Sequence, residues 1–354
     1  MKNRAAVVVE DGRIEIQDWP MPKMGPEDIL VEIKRVGICG SDIHLFEDHL
    51  LAGARPYNRH PFVLGHESAG VVVNVGEKVA DFKIGDRVAL EPSVACMKCE
   101  YCKSGRYNLC KDMDMMAAYP FHRAAMQNYV AHPAAFSYKL PDNVSFAEGA
   151  LLEPMNVGMH AAKRGQVCNG QSVLVMGAGC IGLMTALSCR ILGVTDITVI
   201  DLIENRLNFI KTIIPGVKTI CSKDIDLVTV FKEQTNGQGA DVVFETAGSP
   251  FTLKVAPFVT KRGGKIVTVG NIKGTVDFSF ITINMNEIEL ITVFRYCNLY
   301  PMCIDAISSG NIDFSSVVTE TFPLERVQEA FETAINEKER IFKVMIDMEQ
   351  SGQS

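Results

Sequence analysis

The chain has 354 residues, 47% hydrophobic and 22% charged, which is enough for one large or two medium domains around an ordinary core. Its formal net charge is -7 and no long block of Lys and Arg occurs, so nucleic acid is not an expected partner. Apolar runs break well short of the ~20 residues of a membrane span, and the N-terminal MKNRAAVVVEDG lacks the apolar core of a signal peptide, so neither is expected.

Residues 1–155 carry short β-branched segments (AAVVVE, ILVEIKRVGI, AGVVVNVG, DRVAL) divided by Gly, Pro and Asp, the pattern of a mostly antiparallel β domain. From Asn156 the texture changes. Apolar strands (SVLVMG, ITVID, VKTIC, ADVVFETAG, GKIVTVG, ELITVF) alternate with helix-length segments, which predicts a parallel sheet of about six strands covered on both faces. After residue 297 two helical stretches and a last strand, RIFKVMIDM, form a tail able to fold back on the first domain. The chain therefore reads as α/β, with domains at 1–155 plus 297–354 and at 156–296.

Four of the eleven cysteines fall in CMKCEYCKSGRYNLC: Cys96, Cys99, Cys102 and Cys110. An odd cysteine count argues against a fully paired disulfide framework, and in a reducing compartment such as the cytoplasm clustered cysteines more often bind metal. CxxCxxC plus a fourth thiolate suits a closed tetrahedral zinc site in a lobe at 92–112, structural because no coordination position stays open. A redox pair needs only two cysteines, and an iron–sulfur cluster is the remaining alternative.

A second, dispersed set is Cys39 in GICGSDIH, His66 and Glu67 in LGHE, and Glu153 in LLEP. Thiolate, imidazole and carboxylate leave a position for water or substrate, as catalytic zinc requires. Ser41 and His44 lie three apart and can share a helix face, a plausible proton exit.

In VLVMGAGCIGL, Gly177 permits a tight turn, Gly179 a close approach to pyrophosphate, and Gly182 close helix–strand packing. A strand precedes, a helix follows, and Asp201 closes the next strand, where it would accept from a ribose 2′-hydroxyl and repel a 2′-phosphate. NAD is therefore expected over NADP. Arg206, one turn on, is placed to lie against adenine or reach a phosphate.

Together GICGSDIH, LGHESAGVVVNVG, FKIGDRVALEP, the cysteine lobe and VMGAGCIG resemble the zinc-dependent medium-chain dehydrogenase/reductase family over nearly the whole chain. GRYNLC, FSYKLPDNVSFAEGALLEPMNVGMHAA and VFRYCNLYP are most similar to its polyol dehydrogenases. The resemblance implies a groES-like catalytic domain around a Rossmann domain, with two zinc ions per chain. One would sit at Cys39, His66 and Glu67, with Glu153 as ligand or holding water. It further implies cofactor contacts from Ile181, Asp201, Arg206, Val269, Gly270, Asn271, Val293, Phe294 and Arg295, with Arg295 and Tyr296 facing substrate hydroxyls. The implied reaction is reversible oxidation of a secondary alcohol to a ketone, with hydride passing to NAD and the proton leaving by Ser41 and His44 or by water at Glu153. The substrate would be a small-molecule polyol, and the assembly a homo-oligomer, dimer or tetramer.

Three departures from that pattern concern the substrate. Leu45 stands where an aromatic residue is usual, the loop from Phe46 to Arg59 is slightly long and carries His49 and Arg55, and FHRAAMQNY places His122 and Arg123 near the expected pocket. Extra basic groups would suit a phosphorylated or carboxylated polyol; solvated loop residues are the plainer account. A threonine-type or simple secondary-alcohol dehydrogenase is the alternative within the family, and a non-enzymatic NAD- and zinc-binding protein the distant one.

Overall fold

The computed structural model describes residues 2–47, 61–310 and 312–349. Two compact units divide it, Met1–Glu153 with Tyr300–Ser354, and Pro154–Leu299.

The first unit is largely β. It holds β1 (Arg4–Glu10), β2 (Arg13–Asp18), β3 (Asp28–Gly37), β4 (Phe62–Val63), β5 (Glu67–Val75), β6 (Arg87–Leu90), β7 (Ser93–Val94), β8 (Asp114–Met115), β9 (Tyr129–Pro133) and β10 (Ser137–Lys139). Far along the chain β17 (Val318–Pro323) and β18 (Lys343–Asp347) rejoin it. Its main sheet runs β10-β6-β5-β3-β18-β17, with β9 also paired to β3. The C-terminal strand thus returns beside the strand that leads to Cys39: Met345 pairs with Gly37, and the Ile38 N–H donates to the Val344 carbonyl at 3.0 Å. Val31, Ile33 and Val36 of β3 pack in one core with Val72, Val88 and Ile346, the in–out alternation of a sheet buried on one side. Two short helices in this unit, α1 (Gly40–Glu47) and α2 (Glu100–Lys103), carry candidate site residues.

Helix α3 (Phe146–Gly165) contains the boundary, with Glu153 in the first unit and Pro154 in the second. The second unit has strands β11 (Ser172–Met176), β12 (Asp196–Asp201), β13 (Lys218–Cys221), β14 (Ala240–Glu245), β15 (Thr260–Thr268) and β16 (Glu289–Thr292). All neighbours are parallel, in the order β13-β12-β11-β14-β15-β16. That is the 3-2-1-4-5-6 order of a dinucleotide-binding sheet, reversing direction between β11 and β14. The helices α4 (Cys180–Ile191), α5 (Glu204–Ile213), α6 (Leu227–Gln234), α7 (Pro250–Val259) and α8 (Phe280–Asn286) follow its strands. Strands such as SVLVM are apolar throughout because both faces are covered, and Leu174, Met176, Val243 and Ile266 pack with Phe231 and Ala256 of the helices. Among the described residues no helix is long and apolar enough to cross a membrane.

Candidate metal centres and dinucleotide site

The turn after β7, helix α2 and the helical turn Tyr107–Leu109 bring four thiols together. Cys99 Sγ lies 3.5 Å from Cys102 Sγ and 3.9 Å from Cys110 Sγ, and Cys96 Sγ lies 3.9 Å from Cys102 Sγ. A tetrahedron with Zn–S bonds of about 2.3 Å has S–S edges of about 3.8 Å, so the four sulfurs fit zinc as they stand. Disulfide bonding would need about 2.05 Å, and none of the four is bonded. The thiols do not titrate alike: the Cys102 backbone N–H draws Cys99 down to about 6, whereas desolvation and its neighbours push Cys102 up to about 12. Metal binding deprotonates such a set as a unit.

Below this lobe Glu91 is wholly buried and accepts from two phenols, Tyr107 Oη at 2.8 Å and Tyr138 Oη at 2.9 Å. His132 Nε2 lies 3.0 Å from the Glu91 carbonyl oxygen. Desolvation raises the Glu91 carboxyl to about 7, against the pull of the two hydroxyls.

Cys39, His66 and Glu67 offer one ligand atom each within 4.8 Å of one another. Cys39 ends the turn out of β3, His66 precedes β5 and Glu67 opens it, and β5 pairs with β3 so that Gly37 faces Glu67. Asp42, on α1, ties the set together. It accepts from the Cys39 N–H at 3.0 Å through Oδ2, and Oδ1 lies 3.3 Å from both the Gly65 N and His66 Nδ1. Engaging Nδ1 turns the other ring nitrogen toward Cys39, and Asp42 is the outer partner that metal-binding histidines ordinarily have. Burial works against a charged His66, but Asp42 and Cys39 outweigh it and raise its pKa well above the usual value. One soft, one borderline and one hard donor, nearly all buried, suit zinc.

Glu153 is buried on α3 but does not belong to this three-residue group. Ser41 and His44 both lie on α1, Ser41 half-buried and His44 exposed. Leu45 is 2% exposed and belongs to the hydrophobic core. Arg123 pairs with Asp114 at 2.6 Å, and His122 is an exposed side chain beside Trp19, Tyr119 and Phe121. Arg123 is therefore a part-buried, ion-paired side chain rather than the solvated loop residue of the plainer account. His49 and Arg55 lie outside the described residues.

In the second unit the glycine turn joins β11 to α4. Gly177 has φ +115°, and a Cβ on Gly182 would sit 1.9 Å from the Gly177 carbonyl oxygen, so helix and strand meet only over glycine. Among the described residues, only Arg206 Nη1 lies within 4 Å of a notional Cβ on Gly179, at 3.9 Å, so a guanidinium stands near the N-terminus of α4, the end of a helix that favours anions. Ile181 follows in the first turn of α4. At the end of β12, Asp201 accepts from Ala178 N at 2.6 Å and Ile203 N at 2.9 Å, one bond per oxygen. Each oxygen keeps a lone pair for a ribose hydroxyl.

The loops after β15 and β16 hold the other candidates. Val269 and Gly270 donate to the Glu245 carbonyl at 2.8 and 3.0 Å, with Asn271 next, and Val293 donates to Thr268 at 3.0 Å. Phe294 is exposed with the Arg295 guanidinium 4.9 Å from its ring centroid, and Tyr296 is 1% exposed.

Asp42 and Lys343 are the site residues that the sequence reading missed. Asp42 sits inside the GICGSDIH segment already singled out, and Lys343 is one charge inside the apolar strand FKVMI. A lone charge on a strand otherwise buried is the signal that was there to be read.

The chain belongs to the zinc-dependent medium-chain dehydrogenase family. Residues 25–142 match the alcohol dehydrogenase GroES-like domain and residues 180–309 the zinc-binding dehydrogenase domain. It is 45% identical to an uncharacterized zinc-type alcohol dehydrogenase-like protein of Escherichia coli (strain K12), covering 98% of this chain and 99% of that one. It is 39% identical to a sorbitol dehydrogenase of Arabidopsis thaliana, over 98% of this chain and 96% of that one. A crystal structure of an Escherichia coli oxidoreductase/dehydrogenase of unknown specificity involved in membrane biogenesis superposes with TM-score 0.92 at 44% identity, covering 98% of this chain and 99% of that one. The fold is thus a groES-like unit with a Rossmann unit, and the protein is an oxidoreductase of the polyol and alcohol dehydrogenase group.

Proposed function

We propose that the protein oxidises a secondary hydroxyl of a free polyol, of the sorbitol or xylitol kind, reversibly to a ketose, with NAD as hydride acceptor. The observation that carries the reading is the gathering of Cys39, His66 and Glu67 within 4.8 Å in a chain that also holds a dinucleotide turn. When bound, zinc lowers the pKa of an alcohol hydroxyl and stabilises the charge that develops, and the nicotinamide supplies the hydride chemistry.

The chain's own residues do the rest. Cys39, His66 and Glu67 would hold the metal, and Asp42 fixes the His66 ring through Nδ1. Ser41 and His44, on one face of α1, pass the substrate proton from the buried site toward solvent. Glu153, buried on α3, would complete the ligand set or hold a water beside it. Asp201 selects NAD, since a 2′-phosphate would meet its carboxylate. The family resemblance makes Arg295 and Tyr296 the polar groups read as facing the substrate hydroxyls. The similarity to a sorbitol dehydrogenase supports polyols, and the Arg123–Asp114 pair leaves one basic group fewer for a phosphate.

The four-cysteine lobe carries a second, structural zinc. Thiolate ligands persist where disulfides do not form, so the place of action is a reducing compartment, the cytoplasm. The protein also assembles with itself as a dimer or tetramer. Strand β16 ends the second unit's sheet with Leu290 exposed, and Phe280, Ile281 and Met285 of α8 are exposed as well. An uncovered apolar edge of this kind is what a second copy would cover.

The test is reduction of NAD and of NADP on sorbitol, xylitol, galactitol, their phosphates, threonine and butane-2,3-diol. Turnover of free polyols with NAD is the expected result. Turnover of threonine or the diol alone would keep the chemistry and remove the polyol assignment.

A further inference from the structure

Lys343 is a buried cation that points at a metal ligand. Its side chain is 3% exposed, that of Glu67 1%, and Nζ donates to both carboxylate oxygens of Glu67 at 2.8 Å and to the Ile38 carbonyl at 3.2 Å. The pairing is built into the sheet. Strand β18 lies against β3, β3 lies against β5, and Gly37 of β3 faces Glu67, where a Cβ would fall 2.1 Å from the Glu67 carboxylate. The carboxylate thus occupies the space a side chain would fill, with the ammonium 2.8 Å away and the Cys39 and His66 donors within 4.8 Å.

A buried ion pair is a poor way to gain stability, because desolvating both charges offsets most of their attraction. A hydrophobic pair would serve the sheet as well. The carboxylate has about four lone-pair sites, and the ammonium uses one on each oxygen, leaving the others for metal.

We propose that Lys343 is a positioning residue that shares the Glu67 carboxylate with the metal and thereby weakens Glu67 as a ligand. The inference rests on the reading of Cys39, His66 and Glu67 as a metal site. Two anionic ligands would neutralise a dication, and the buried Asp42 carboxylate beside His66 adds a further negative charge; the ammonium offsets one of these beside the metal. The metal is then held less tightly and keeps more of its power to polarise an oxygen. Neutralising Lys343 frees the carboxylate, so zinc binds tighter.

The test is zinc affinity, by competition with a chromophoric chelator on the full chain, with Cys39→Ser as the blank that reports the four-cysteine lobe alone. Lys343→Met and Lys343→Gln should bind the second zinc about tenfold or more tightly than wild type, in the range over which outer partners act. Lys343→Arg, which keeps the charge, should match wild type. In a Glu67→Gln background the effect of Lys343→Met should shrink.

A Lys343→Met chain that folds only when zinc is supplied counts for the proposal, because the metal then stands in for the missing cation. Unchanged or weaker affinity in both neutral variants overturns it, as does a chain unfolded with and without zinc, which would make Lys343 purely structural. If wild type binds no more zinc than Cys39→Ser, the metal-site reading itself fails, an outcome separate from these.

Discussion

Asp42 and His66 face each other at 3.3 Å, both buried, although 24 positions separate them in the chain. The same carboxylate accepts the Cys39 N–H, so one side chain sets two of the three donors. Asp42→Asn keeps the shape and removes the charge. Zinc affinity at this site should fall by roughly 10- to 100-fold, with the four-cysteine lobe still loaded. Equilibrium dialysis with zinc counting checks it, and unchanged affinity would mean that Asp42 only caps the turn.

Glu91 gives a pH dependence with a definite sign. Its carboxyl is raised from 4.5 to about 7, chiefly by burial, so the folded chain holds the proton more tightly than the unfolded chain. Below 4.5 both states are protonated and nothing is lost. As pH rises toward 7 the unfolded state ionises first, and the stabilisation disappears over that window, a loss on the order of 3 kcal/mol above it. Glu91→Gln should flatten this part of the stability curve relative to wild type. Urea unfolding at several pH values compares the two chains, and parallel curves would contradict the assignment.

Much of this was legible from residue type and spacing. The glycine turn, the acid at Asp201 and the four-cysteine spacing each fix local geometry over a few residues, so sequence alone shows them. Cys39, His66 and Glu67 were visible as motifs at segment ends. Lys343 was not, because its partner is 276 residues away and only the return of β18 beside β3 joins them. Likewise Leu45 stands where an aromatic pocket residue is usual, and only the fold shows it buried in one cluster with Phe46 and Phe331. Arg123 reads as free for a substrate anion until Asp114 is found against it.

At the cofactor, Asp201→Asn removes the charge that opposes a 2′-phosphate while leaving an acceptor for Ala178 N. KM for NAD should rise about tenfold, the scale of a lost charged hydrogen bond, and KM for NADP should fall. Steady-state kinetics with both cofactors decides it. An unaltered preference would shift the selecting role to Arg206.

The cysteine lobe should matter to stability rather than to chemistry. Cys99→Ser should lose one of two zinc equivalents and lower Tm by several degrees, roughly 2–4 °C per kcal/mol for a domain of 150–250 residues. Turnover per folded molecule should stay near wild type. A stable variant without turnover would reverse the roles of the two sites.

The most direct measurement is made on Cys39→Ser: polyol-dependent NAD reduction beside NAD binding by fluorescence quenching. Loss of turnover with cofactor binding retained is the predicted result, since Cys39 lies in the groES-like unit and the dinucleotide turn in the other. Turnover equal to wild type would contradict the account, because the chemistry would then not depend on the Cys39, His66 and Glu67 site.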